Sequence, residues 1–115
     1  MNGINMNEMK IGKYCNRIGY SDVYPFEVVN VISDKTVEIR EMDAERDPSF
    51  TPEFVEGGFS GVCVNQHEQK WIYKSKPNSP IFRVRYSKAK KRWQDKGGNQ
   101  YRMADIPLKY YDYNF

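Results

Sequence analysis

The chain has 115 residues, of which 39% are hydrophobic, 15% aromatic and 29% charged; this length allows one domain, and this composition excludes a disordered or collagen-like chain. No apolar run reaches the roughly 20 residues that a membrane-spanning helix needs, so we expect no membrane partner. The net charge of +3 hides an asymmetry, because residues 1–57 carry six Lys/Arg and eleven Asp/Glu, whereas residues 58–115 carry twelve and four. The basic part, at +8, favours an anionic partner or self-association of unlike surfaces.

The first nine residues are predicted to be a flexible N-terminal segment, followed by a single domain over residues 10–115. The segment is polar and has no basic stretch followed by an apolar one, so it does not have the pattern of a secretory signal. Cys15 and Cys63 are too few for a disulfide framework. These features favour a reducing cytoplasm.

The clearest element is a hairpin. Residues 26–32 and 36–40 are rich in β-branched side chains and flank a polar turn at residues 33–35, a pattern typical of paired antiparallel strands. Further short apolar runs recur at intervals of about 8 to 12 residues. We therefore predict an all-β fold, a small SH3-like β-barrel of short antiparallel strands, with one long loop over residues 47–61.

An acidic stretch follows the hairpin. If its second strand continues past Arg40, the two-residue period places Glu41, Asp43 and Glu45 on one face. Such carboxylates discourage edge-to-edge pairing, accept a basic partner or hold a hard cation. The glycine and the later glutamate of a calcium loop are missing, so we predict no metal and no cofactor. The three residues are assigned to partner binding.

A polar stretch, residues 65–69, contains the single histidine of the chain. Its amides suit hydrogen bonds with a polar partner, although a solvated loop is the simpler expectation. His67 with Cys63 or Glu68 does not complete a catalytic set, because a nucleophile also needs a base held by an orienting group. We predict that the protein is not an enzyme, with a small hydrolase that uses His67 as a remote alternative.

The basic part of the chain interleaves cations with aromatic residues. Phosphate requires positive charge, and bases and sugars favour flat stacking partners, so this composition favours a nucleotide or nucleic acid. The competing interpretation is an ordinary half-buried strand with a solvated cationic face. The residues predicted to bind the ligand are Arg83, Arg85, Lys91, Arg92 and Trp93, with Tyr20 and Tyr24 as stacking partners.

The C-terminal segment from Tyr110 onward is aromatic. Terminal residues fray unless they are held, so we expect this segment to pack across the barrel or to dock onto another protomer or a partner protein. Tyr110, Tyr113 and Phe115 are its predicted partner-binding residues. Homo-oligomers that join acidic to basic surfaces are a further expectation.

Two stretches of the sequence carry a family likeness. The first runs from Tyr20 through the hairpin to Ala44, and the second contains Phe82–Arg85, Arg92–Trp93, Gly97–Gly98 and the closing Tyr110–Phe115. Together they resemble small bacteriophage- or prophage-encoded proteins of unassigned function. The resemblance implies a phage protein that works in the host cytoplasm, where small phage proteins often inhibit host machinery or sequester defence signals. It implies no catalytic residue.

Charge and resemblance together predict a non-enzymatic, phage-encoded binding module. Its expected role is to sequester a phosphate-bearing ligand, either a nucleotide signal or nucleic acid, or to inhibit a host defence protein. The alternative is a protein–protein interaction or homo-oligomeric structural module that uses the acidic strand and the aromatic tail.

Overall fold

The structure, a computed structural model, describes residues 10–57 and 60–114. In these ranges the chain forms ten strands and one short 3₁₀ turn at Gln66–Glu68. The predicted flexible segment, residues 1–9, lies outside the described residues. The strands are β1 (Tyr14–Ile18), β2 (Val23–Tyr24), β3 (Phe26–Ser33), β4 (Thr36–Arg46), β5 (Phe54–Gly57), β6 (Ser60–Cys63), β7 (Trp71–Ser75), β8 (Ile81–Ser87), β9 (Arg92–Gln94) and β10 (Gln100–Ala104).

Six strands form a closed antiparallel barrel. Their order around it is β1, β3, β4, β8, β9 and β10, and β10 pairs with β1 to close the ring. Just before β1, a side chain at Gly12 would collide with the Ala104 carbonyl oxygen, so glycine is required for the close approach of the two segments. The predicted all-β barrel is confirmed, and the SH3-like topology stays a prediction.

The predicted hairpin is present as β3 and β4, and β4 continues further than the hairpin requires. Its first part, residues 36–40, pairs with β3 on one side and with β8 on the other. Its second part, residues 42–46, pairs with β7. One long strand therefore links the barrel to the strand that precedes β8.

The barrel is filled by the inward face of each strand. The buried cluster consists of Cys15, Phe26, Val37, Ile39, Val84, Tyr86, Trp93 and Tyr101. Aromatic rings in it meet edge to face, Phe26 with Tyr101 at 5.6 Å between centroids and Tyr86 with Trp93 at the same distance. Rings favour this geometry, so the large side chains pack without facing each other directly.

The long loop expected over residues 47–61 is partly a second hairpin. β5 and β6 pair Phe54 with Cys63 and Val55 with Val62, and they form a separate two-stranded sheet. Residues 47–53 alone lack strand structure in the described part of this stretch. The expectation is corrected because Gly57 and Gly61, two of the glycines that suggested a loop, pair within the β5–β6 ladder. Residues 58 and 59 lie outside the described ones.

The C-terminal tail, residues 105–114, lies against its own chain. Tyr110 forms an antiparallel bridge with Val23. Elsewhere side chains hold the tail backbone: Asn16 bonds to Ile106 and Leu108, Tyr73 to Lys109, Gln69 to Tyr111, Asp22 to Asp112 and Gln66 to Tyr113. The tail is therefore packed on the protein itself, the first of the two arrangements expected for it.

Candidate functional site

The outer face of β8 carries two of the predicted ligand-binding residues. Val84 and Tyr86 are buried in the core, and the alternation along the strand therefore places Arg83 and Arg85 outside, where both are exposed. The two guanidinium groups share one surface.

A groove lies beside β8 where its neighbour ends. β9 pairs with β8 only from Arg85 to Ser87, so the preceding half of β8 faces the β9–β10 turn, residues 95–99, instead of a strand. The space has a volume of about 840 Å³. We call it the β8 groove, and its lining is Phe82, Arg83, Arg85, Gln94, Asp95, Lys96, Gly97 and Asn99.

Asp95 organises the turn that forms one wall of the β8 groove. Its carboxylate accepts hydrogen bonds from the backbone and side-chain N–H groups of Asn99 and from the Tyr101 hydroxyl, all at 2.9 Å. Burial raises the pKa of Asp95, but these hydrogen bonds outweigh burial and the net pKa is lowered. Gly98 has a φ of +87°, which favours glycine. The turn therefore holds Lys96 in a defined place.

The cations of the β8 groove differ in how far they are neutralised. Arg83 Nε lies 3.3 Å from Glu38 Oε2, and Asn30 donates to the other oxygen of that carboxylate at 2.9 Å. Hydrogen bonds from Asn30 and then Arg83 lower the pKa of Glu38. Among the residues that the structure describes, Arg85 and Lys96 have no hydrogen-bonded or acidic partner. Both are available to an anion.

A second pair of cations lies beyond the end of β8. Lys35 is in the β3–β4 turn and Lys88 is in the β8–β9 turn; a backbone hydrogen bond from the Tyr86 N–H to the Lys35 carbonyl, 2.9 Å long, links the β3–β4 turn to β8. The proximity of the Lys88 side chain, followed by burial, lowers the pKa of Lys35, and the charge of Asp34 opposes this shift. We call Lys35 and Lys88 the turn cluster.

Lys91 and Arg92 lie beside a different depression. Arg92 Nε donates to Gln94 Oε1 at 3.2 Å and its Nη2 donates to the Gly98 carbonyl at 3.4 Å, so this side chain supports the β9–β10 turn. Lys91 and Arg92, with Arg102, line a groove of about 270 Å³ over β9 and β10. The structure thus divides the predicted cations between two neighbouring grooves.

Trp93 lies in the core with 1% of its surface exposed, which corrects the prediction that it faces and binds the ligand. Arg92 and Gln94 point outward on either side of it, and the alternation sends the indole inward against Tyr86. The ring stabilises the barrel and is not accessible to a ligand.

Tyr20 and Tyr24 are distant from the β8 groove in the barrel order. They follow β1, which β9 and β10 separate from β8. The Tyr24 ring is half-buried and faces two cations, Arg17 at 4.5 Å and Lys109 at 4.7 Å. Tyr20 is 94% exposed. The structure does not bring these rings to the cations of the groove, and stacking by either ring stays a prediction.

The acidic strand has the predicted geometry. Glu41, Asp43 and Glu45 are exposed on one face of β4. Lys76 Nζ lies 3.7 Å from a carboxylate oxygen of Glu41 and 3.7 Å from one of Asp43, so the chain neutralises part of this face itself. Within residues 10–57 and 60–114, no group of three His, Cys, Asp or Glu side chains could hold a metal ion. Partner binding by the strand stays a prediction.

The tail residues predicted to bind a partner are partly covered. Tyr110 and Tyr113 are half-buried, and the Tyr113 ring lies 6.2 Å from that of Phe50 and 6.4 Å from that of Phe54. Phe115 lies outside the described residues. Contact of this segment with a partner stays a prediction.

Cys63 and His67 lie in different environments. The His67 side chain is 76% exposed and its Nε2 is 3.9 Å from Glu68. Cys63 is buried, its thiol is 3.5 Å from Asn65 Oδ1, and its backbone bonds to Asn114. In the described part of the chain no hydrogen bond joins the two side chains.

Sequence reasoning missed Lys96 and the turn cluster. A signal for Lys96 exists, because Asp95 and the glycines that follow are typical of a tight turn, and such a turn carries its lysine to the surface. The turn cluster has no local signal. Lys35 and Lys88 belong to turns that only the pairing of β4 with β8 makes neighbours.

Comparison of the chain with protein-family models, with curated proteins and with solved structures gives no match. In the part of the chain that is described, none of the helical structure is of a length and apolar character that would cross a bilayer. The function is therefore argued from the site.

Proposed function

We propose that this protein is a non-enzymatic binding module that holds a phosphate-bearing ligand in the β8 groove. The observation that carries the proposal is the placement of two unneutralised cations, Arg85 on the strand and Lys96 on the facing turn, along one concave surface. With the resemblance to small phage proteins, the proposal extends to sequestration of such a ligand in the host cytoplasm.

The donors of the groove suit a phosphate group. Arg85 offers its whole guanidinium fork, and Arg83 keeps its terminal N–H groups because only its Nε contacts Glu38. Two forks and the Lys96 ammonium can surround phosphate oxygens with charge-assisted hydrogen bonds. Phe82, half-buried in the lining, gives an apolar surface for a sugar or base.

The carboxylate in the groove is poorly suited to catalysis. Asp95 accepts three hydrogen bonds from Asn99 and Tyr101, and its net pKa is lowered. A general base works best when its pKa is near the working pH, so Asp95 is a weak proton acceptor at neutral pH. This supports binding without turnover.

Titration calorimetry with inorganic triphosphate and with a nucleoside triphosphate, over a series of salt concentrations, tests the proposal. We expect binding that weakens steeply as salt rises, because phosphate contacts release counterions. Arg85→Gln and Lys96→Gln should each weaken binding. The matched control is Lys74→Gln, which removes an exposed lysine on β7 opposite Asp43. Affinity that does not change with salt, or an equal loss in the control, contradicts the proposal.

A further inference from the structure

We infer that the ligand of the β8 groove is a single-stranded nucleic acid whose backbone continues from the groove to the turn cluster. This inference rests on the proposed function and names the class of ligand. Four features of the molecule carry it: the line of cations along β8, the two neighbouring turns that carry lysines, the burial of nearby rings and the carboxylate of Glu38 beside the line.

The cations follow the length of β8. Arg83 and Arg85 are two residues apart on its outer face, and Lys88 begins the turn that follows the strand. At about 3.3 Å per residue, the stretch from Arg83 to Lys88 covers on the order of 16 Å. A single nucleotide carries its phosphates at one end, so it can contact either the groove or the turn cluster. A polymer carries a phosphate at every nucleotide and can contact both.

The turn cluster is a preformed place for an anion. Pairing of Thr36 with Arg85 and the Tyr86 to Lys35 backbone hydrogen bond bring the turns that carry Lys35 and Lys88 together. In the described residues neither lysine forms an ion pair with a carboxylate, although the charge of Asp34 acts on Lys35. Like charges so placed repel each other, and a phosphate between them relieves the repulsion and accepts from both. The Tyr86 to Lys35 backbone hydrogen bond anchors one of the two turns to β8.

The rings near the cations are closed inside the barrel. Tyr86, Trp93 and Tyr101 are buried, which leaves the half-buried Phe82 as the aromatic residue of the groove lining. A free nucleotide therefore gains little stacking on this face. Affinity on this face therefore comes mainly from phosphate contacts, and a polymer offers successive phosphates.

The positive track is narrow. On its β4 side lies the carboxylate of Glu38, which is opposite Arg83 in the pairing of β4 with β8. On its other side stands the β9–β10 turn, residues 95–99, as a wall of the groove. A stiff duplex presents two phosphate backbones and would bring one of them onto the Glu38 carboxylate, whereas a flexible single strand fits along the track.

Fluorescence anisotropy with the full chain and labelled oligothymidylates of about 4 and about 12 nucleotides tests the inference. We expect the longer strand to bind more tightly. The double variant Lys35→Gln/Lys88→Gln should weaken the longer strand several-fold and reduce its salt slope by about 0.7, the contribution of one phosphate contact to a single strand. The same variant should leave inorganic triphosphate binding unchanged, since that ligand fits within the groove.

The outcomes separate the two proposals. If the double variant binds the longer strand as the wild type does, while Arg85→Gln loses triphosphate, the polymer path is wrong and the proposed function stands. If Arg85→Gln and Lys96→Gln bind both inorganic triphosphate and the longer strand as tightly as the wild type, the proposed function itself is wrong. Tighter binding of a duplex of equal length overturns the single-strand assignment. Lys74→Gln is again the charge-matched control, and thermal unfolding of each variant checks that it is folded.

Discussion

Asn114 pairs with Cys63 through both groups of its side-chain amide. Oδ1 accepts from the Cys63 N–H at 2.7 Å, and Nδ2 donates to the Cys63 carbonyl at 2.9 Å. The amide thus takes the place of a neighbouring strand for one residue of β6. Since an isolated two-stranded sheet is only marginally stable in water, this contact ties the β5–β6 hairpin to the tail and stabilises it.

Asn114→Ala should release the end of the tail and expose the Cys63 thiol. We expect faster modification of Cys63 by an aromatic disulfide reagent, because the residue is buried in the intact protein. Cys15 should stay unreactive, since it lies in the barrel core and burial raises the pKa of its thiol to about 12. The Cys63→Ala variant identifies the modified site, and an unchanged rate in Asn114→Ala would show that the tail does not protect it.

Asn16→Ala should destabilise the protein by about 1 to 3 kcal/mol, because it removes both hydrogen bonds of a buried side chain and leaves their backbone partners in the tail unpaired. Asn16 is 2% exposed, donates to the Ile106 carbonyl and accepts from the Leu108 N–H, both at 3.2 Å. Urea unfolding measures the change. The control is Asn78→Ala, an exposed turn position at which we expect a change within about 0.5 kcal/mol. Equal effects at the two positions would count against the role of Asn16.

Asp95→Asn should lower stability more at neutral pH than in acid. The net pKa of Asp95 is lowered in the folded protein, with hydrogen bonds outweighing burial. The stabilisation is therefore present above the ordinary value of 3.8 and is lost as pH falls through the folded value. Urea unfolding of the wild type and the variant at neutral and acidic pH measures this difference. Asp105→Asn, an exposed position, is the control, and a difference that does not change with pH refutes the prediction.

Alkaline solution should destabilise the barrel through Cys15. Burial raises its pKa from 9.0 to about 12, so the unfolded chain loses the thiol proton first. The contribution of Cys15 to the free energy of unfolding is fully present below pH 9.0 and is lost as pH rises toward about 12. Burial and then the Asp95 hydrogen bond also raise the pKa of Tyr101, which adds to the loss above its ordinary value of 10.0.

Unfolding midpoints measured in steps across the alkaline range test this prediction. In Cys15→Ala the free energy of unfolding should fall less steeply between pH 9.0 and 10.0 than in the wild type. Above pH 10.0 a decline should persist, because Tyr101 is still present and its pKa is raised in the folded protein. A wild type whose stability is level up to pH 10.0 would be inconsistent with a buried thiol of raised pKa.

The barrel is largely predictable from the sequence because its signals are local. The turn at residues 33–35 and the β-branched runs beside it define the β3–β4 hairpin. The same two-residue period places Arg83 and Arg85 on the outside of β8. The two-residue period also predicts that Glu41, Asp43 and Glu45 lie on one exposed face, because β4 continues to Arg46.

The site is less predictable because it depends on contacts between distant segments. In a strand as short as β9 either phase of the alternation is acceptable, and the packing of Trp93 against Tyr86 on the adjacent strand sets the choice. The amides of Gln66 and Gln69 have the pattern of a solvated loop, yet they hold the tail backbone. Such hydrogen bonds between side chains and a distant backbone produce no periodic pattern in the sequence from which they could be predicted.

Closure of the barrel by β1 and β10 affects how the chain acquires its structure. The Asn16–Ile106 hydrogen bond beside this closure joins residues separated by 90 positions, and such non-local pairing slows folding to about milliseconds or seconds. The ring is incomplete until β10 has emerged from the ribosome. Closure of the barrel therefore waits for β10, and a nascent chain lacking that strand exposes the side chains that later become the interior.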